Sequence, residues 1–232
     1  MREGAMPMQL DGPGLAPLSG GKAAYLVILL HGVAANGNDL VSLARAWRTI
    51  LPKAEFIAPN APFPCDYAPE ARQWFSLADR APEKLLAGLR EAGAILDRFF
   101  DELLASRQLG DARLALAGFS QGAAMALYAG LRRQTQIAGI VAFSGALPGG
   151  EGLRSDIRSK PPVLLVHGEA DSAVPFQSMA NAKATLEAAG VPVTAVARPG
   201  LGHAIDDAGI ALAAEFILDA LKAPRGDTGV AV

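Results

Sequence analysis

The chain has a single cysteine, only three histidines and few aromatic residues, 6% of its 232 positions. Cys65 has no partner for a disulfide within the chain, so stability has to come from a packed apolar core, and a reducing compartment, the cytoplasm, is expected. The histidines are scattered at His31, His167 and His203, no H-E-x-x-H occurs, and no second cysteine is available, so no metal site is expected. Charge is scarce as well. With 19% charged residues and a formal net charge of -2, nothing prepares the chain to hold a polyanion, and nucleic acid is excluded as an expected partner. The longest apolar run, Ala23 to Leu30, falls far short of the roughly 20 residues that cross a bilayer, so no transmembrane segment is expected. The opening "MREGAMPMQLDGPG" is broken by Glu3, glycines and prolines where a secretory leader needs an unbroken apolar segment. "SGGKA" around Lys22 has Ala16 and Ala23 where a phosphate loop needs glycine and Ser/Thr, and "GPGLAP" lacks the third glycine of a dinucleotide fingerprint. No cofactor is expected.

Apolar residues are abundant, at 51%, and their arrangement is informative. Short runs without alternation, "AYLVILL", "EFIAP", "RLALAGF", "IAGIVAFS", "PVLLVHG" and "VTAVAR", read as strands buried on both faces. Between them lie stretches of helical periodicity at 41–50, 82–107, 121–133, 176–189 and 207–221. Strand alternating with helix predicts an α/β fold, a doubly wound and mostly parallel sheet with helices on both faces. One domain over residues 1–222 is expected, with residues 1–20 an N-terminal extension carrying an antiparallel edge strand near Met6 to Leu10, and residues 223–232 a flexible tail.

Ligands of such sheets bind beyond the carboxyl ends of the strands, so the residues directly after each apolar run carry the functional argument. Gly118-Phe119-Ser120-Gln121-Gly122 matches G-x-S-x-G between a predicted strand and a predicted helix, where the glycines permit a tight turn that lifts the serine hydroxyl above the sheet. The structural alternative is a serine that merely caps the helix. A serine nucleophile needs a base and an acid to orient it, in the chain order serine, acid, histidine. His203, in the glycine-rich "RPGLGHAIDD", satisfies this order, whereas His31 reads as a residue holding its own loop. Asp171 is the acid of choice because it lies just past a strand end, as His203 does, and Glu169 is its substitute. For the oxyanion, Gln121 can give its backbone N–H at the helix start and Val33 a second from the loop after "LLHG". Cys65, in "PFPCDY", reads as a passive loop residue.

"LLHGVAANGNDL", "FIAPNAPFP", "QWFSL", "GFSQGAAMAL", "VHGEADSAVP" and "GLGHAID", in this order, resemble the phospholipase/carboxylesterase family of α/β-hydrolases, which includes the acyl-protein thioesterases. The resemblance spans Leu26 to Leu221. It implies the α/β-hydrolase fold, Ser120 as nucleophile with Asp171 and His203 as partners, and Val33 and Gln121 as oxyanion hole. It also implies hydrolysis of small-molecule carboxylic esters of short to medium acyl chain, and in some members of thioesters or lysophospholipids. A binding protein built on an inactive hydrolase scaffold is the non-enzymatic alternative, which three intact triad residues disfavour. Homodimer formation is left open.

The segment Ser144 to Pro162 is too short for a cap domain, so an open groove is expected, walled from elsewhere along the strand ends. The long connection from Pro59 to Ala81 is the expected source, with Phe63, Trp74 and Phe75 offering apolar area to an acyl chain or, alternatively, anchoring that connection to the core.

Overall fold

The computed structural model describes residues 10–147 and 156–223. Nearly all of the segment expected to form the edge strand at Met6 to Leu10, together with residues 224–232 of the expected tail, lies outside the described residues. A seven-stranded sheet organises the rest. Its strands are β1 (Gly14–Leu15), β2 (Tyr25–Leu30), β3 (Ala54–Ile57), β6 (Leu114–Phe119), β7 (Gly139–Phe143), β8 (Val163–Gly168) and β9 (Val193–Arg198), in the order β1-β3-β2-β6-β7-β8-β9. Every pairing is parallel except β1 with β3. An antiparallel edge strand is thus present at Gly14–Leu15, within the expected N-terminal extension.

Among the described residues five helices cover the sheet: α1 (Gly37–Trp47), α2 (Pro82–Arg107), α3 (Gln121–Gly130), α4 (Gln177–Ala188) and α5 (Asp207–Lys222). The pleat sends successive side chains of each strand to opposite faces. In β2, Leu26, Ile28 and Leu30 join the core beneath α2, α3 and α4, while Val27 and Leu29 join the one beneath α1 and α5. Both faces are dry, which is why these strands read as unbroken apolar runs.

Three helix boundaries differ from the periodicity by three residues or more: both ends of α1, which stops at Trp47 rather than Ile50, and the end of α3. α1 begins at Gly37 rather than Val41, because Asn36 and Asp39 form a reciprocal capping box that satisfies the first backbone donors. α3 ends at Gly130 rather than Arg133. Gly130 lies flat against Ile137 and Ile140 as the chain turns toward β7, and Arg133 turns to pair with Asp97, Asp101 and Asp111.

After β3 the chain crosses to the far side of β2 and returns as β6, so the strand order reverses between β2 and β6. That reversal opens a crevice above the carboxyl ends of these two strands, the place where ligands bind in open α/β sheets. The connection expected to be irregular contains a small antiparallel ladder, β4 (Phe63–Pro64) with β5 (Arg72–Gln73), and folds back over this crevice.

Candidate active site

Ser120 follows β6 directly and opens α3 with φ 54° and ψ -117°. A non-glycine residue holds this conformation only where its surroundings enforce it. Here they do. A Cβ on Gly118 would lie 2.2 Å from the Gly122 carbonyl oxygen, and one on Gly122 would lie 1.9 Å from that of Leu30, so neither glycine of the motif can carry a side chain. The strain clusters at the strand ends, with Ala34 (φ 61°) after β2 and Ser144 (φ 46°) after β7.

The loop after β9 brings His203 to this serine. His203 Nε2 lies 3.0 Å from Ser120 Oγ, and its Nδ1 lies 2.8 Å from Asp171 Oδ2. Because a carboxylate only accepts, the proton of the neutral ring sits on Nδ1 and leaves Nε2 free to accept from the serine hydroxyl. The Phe119 ring packs against the imidazole at 4.7 Å between centroids. Further along, Arg198 and Asp206 pair across the base of the His203 loop, while Ala170 N–H donates to Leu201 O and ties it to the Asp171 loop.

Asp171 is fully buried on its side chain, whereas that of His203 keeps 24% exposure. Burial opposes the charged form of Asp171. Hydrogen bonds from His203 and from the backbone N–H groups of Val174 and Ala173 outweigh that penalty and hold the carboxyl below its ordinary range. Glu169, the substitute acid, is exposed.

His31 is completely buried at the end of β2, with both ring nitrogens engaged. Its Nδ1–H donates to Gly32 O at 2.7 Å, and its Nε2 accepts from Ala61 N–H at 2.9 Å. Desolvation favours its neutral form and lowers its pKa. With no nitrogen to spare it acts as a strut between two loops. One of those loops seats Gly32 against the serine, where an added Cβ would stand 3.4 Å from Ser120 Cβ, and so carries Val33 to the elbow. Neither Val33 N–H nor Gln121 N–H has an acceptor among the described residues.

One expectation needs correction. Trp74 does not face a groove: it has no exposed surface, and its indole N–H donates to His31 O at 2.9 Å. Its backbone N–H donates to Gln121 Oε1, and Gln121 Nε2 donates to Phe75 O. Trp74 therefore anchors the 59–81 connection. Phe63 and Phe75 do line a cavity, of about 320 Å³, with Gln73, Ser76 and Lys84 among its other walls. The sequence reading missed the clamp made by the Gln121 side chain, the ring contact of Phe119 and the contacts of His167. Residues that satisfy a buried backbone carry no spacing signature of their own.

The profile of the phospholipase/carboxylesterase family matches residues 18–221. The chain belongs to this family. Among solved structures, it is similar to esterase PE8, with 41% identity and a TM-score of 0.86 over 90% of this chain and 98% of that one. An acyl-protein thioesterase 1 of Aspergillus fumigatus is 29% identical over 229 residues, 90% of this chain and 92% of that one. A probable SOBER1-like carboxylesterase of Arabidopsis thaliana is 28% identical over 200 residues, 80% of this chain and 74% of that one. Among the described residues no helix of this family member is long and apolar enough to cross a membrane, and no group of three His, Cys, Asp or Glu could hold a metal ion.

Proposed function

We propose that the chain is a serine hydrolase of carboxylic esters, acting through an acyl-enzyme on Ser120. The observation that carries this reading is the contact of His203 Nε2 with Ser120 Oγ, in a ring whose other nitrogen is held by a buried carboxylate. His203 takes the serine proton as Oγ attacks the ester carbonyl carbon. The oxyanion forms against the N–H groups of Val33 and Gln121, which among the described residues have no acceptor to give up. The protonated imidazole then gives its proton to the departing alcohol. Water repeats the sequence on the acyl-enzyme and releases the acid.

Turnover of p-nitrophenyl acylates tests the activity. A second reading, acyl-thioester hydrolysis, is favoured by relatives named acyl-protein thioesterases, and paired ester and thioester substrates of equal chain length separate the two.

The base has to be neutral to accept a proton. Since Asp171 is held below the ordinary carboxylate range, it stays ionised wherever an imidazole titrates. The rate constant kcat/KM is therefore expected to rise with pH along a single acidic limb, as the base loses its proton while Asp171 stays ionised, and then level off. A limb of slope two would show that a second group has to lose a proton.

For the acyl side we propose Phe63 and Phe75. They share the wall of a cavity of about 320 Å³ in the connection that folds over the crevice, with Asp79, Lys84 and Glu91 among its other walls. Phe75→Ala is expected to raise KM more for octanoyl than for acetyl esters, by up to about fourfold per methylene contacted. Equal change for both esters would remove Phe75 from the acyl site.

A further inference from the structure

His167 is buried at the end of β8, 2% exposed, and takes no part in the steps above. Its Nε2 lies 3.0 Å from Val174 O and 3.2 Å from Asp171 Oδ2. A carbonyl only accepts, so the ring proton is on Nε2, and the positive end of that N–H dipole sits beside the oxygen that holds His203 Nδ1 at 2.8 Å. Val174 is gripped at both ends: its N–H donates to Asp171 Oδ1 and its C=O accepts from His167. The ring is fixed from its other side by Phe176, edge-on at 6.0 Å. The carboxylate thus accepts from Ala173 and Val174 N–H on Oδ1 and from His203 Nδ1–H on Oδ2, while His167 Nε2, its N–H directed to Val174 O, stands 3.2 Å from the same Oδ2.

We propose that His167 is a positioning residue for Asp171, which fixes the carboxylate toward His203 and draws off part of the charge that would otherwise stabilise a protonated His203. The inference rests on the reading of Asp171 and His203 as acid and base. The titratable groups that the contacts place around His167 are Asp171, and His203 through it. On the neighbouring strand β9, Arg198 is paired with Asp206, and Glu169 points into solvent. Two consequences follow from removing the His167 N–H. The carboxylate gains freedom to turn away, which slows the proton transfer. It also holds more charge for His203, which moves the acidic limb of kcat/KM upward.

The test compares His167→Leu, His167→Asn and His167→Gln in the full chain. Leucine has no donor, the asparagine amide is too short to reach the Nε2 position, and the glutamine amide can occupy it. For His167→Leu and His167→Asn, kcat is expected to fall about 10- to 100-fold, KM to change less than about threefold, and the limb to move up by about half a pH unit or more. His167→Gln is expected to recover most of the rate and the original limb. If His167→Leu fails to fold, the asparagine and glutamine variants carry the comparison. Wild-type kinetics in His167→Asn would overturn the proposal. Equal losses in the asparagine and glutamine variants with an unmoved limb would overturn it too, since they would mark a packing role alone. Asp171→Ala separates this inference from its premise: full activity there removes the acid, whereas loss there with an indifferent His167→Asn removes only His167. In the Asp171→Ala background, His167→Asn is expected to add no further loss, and an added loss would show that His167 acts by another route.

Discussion

Ser120→Ala is expected to abolish covalent labelling by a fluorophosphonate probe and to lower kcat by about 10⁴ to 10⁶, the range for loss of a nucleophile whose partners act as a unit. The physical basis is that, among the described residues, Ser120 meets both requirements of the proposed mechanism. Its Oγ has an imidazole nitrogen at 3.0 Å to take its proton, and it sits at the helix start next to the Gln121 N–H that, with that of Val33, is proposed to meet the developing oxyanion. The variant should keep its fold, because the elbow is shaped by Gly118 and Gly122 rather than by the hydroxyl. Mass spectrometry of the labelled protein and a melting curve check both points. Labelling that persists in the variant at the wild-type rate would exclude Ser120. The buried Cys65 lies elsewhere, in the hairpin connection, and Cys65→Ser is the control that leaves turnover in place.

Trp74→Ala is expected to cost about 3 to 5 kcal/mol of stability, since a fully buried indole leaves a large cavity. For a chain of this length that corresponds to a fall in Tm of about 6 to 20 °C. Activity should fall uniformly across acyl chain lengths. The indole donor holds His31 O, and the same residue's backbone reaches the Gln121 side chain, so the loop and the elbow loosen together. Thermal denaturation with a chain-length series distinguishes this from a wall residue. An unchanged Tm with weaker binding of long esters alone would restore Trp74 to the groove.

Trp74 also shows where sequence reading runs out. Its position in a long connection with Phe63, Phe75 and Tyr67 pointed to a functional loop, and the connection does fold over the crevice. Whether an aromatic in such a loop turns outward or inward depends on what lies beneath it. For Trp74 that is the His31 carbonyl, a buried acceptor that the sequence cannot show. Phe75, one residue later, faces the other way and meets α2 at Gly88, where an added Cβ would come within 2.7 Å of its own Cβ. The edge strand at Gly14–Leu15 depends on its neighbour in a similar way. Gly14 and Leu15 pair with Ile57 and Phe56, a choice made by the free edge of β3 rather than by local propensity.

By itself, the sequence determined the class of fold and the identity of the residues around the serine. Unbroken apolar runs alternating with helical periodicity permit few arrangements other than a parallel sheet covered on both sides, and G-x-S-x-G at a strand-to-helix junction forces a tight turn there. Chain order then admitted His203 and ruled out His31, and a place just past a strand end marked Asp171 as the acid. The tertiary structure decided what depends on separate strand ends meeting in space. It set the 3.0 Å and 2.8 Å contacts of His203, turned His31 into a neutral strut, used the Gln121 side chain as a clamp and brought His167 to the same carboxylate as His203. These contacts join residues 30 to 83 positions apart or lie in the turn of one loop, and no local pattern encodes them. Buried donors and acceptors must find partners wherever the fold brings them together, and that requirement acts only once the strands are aligned.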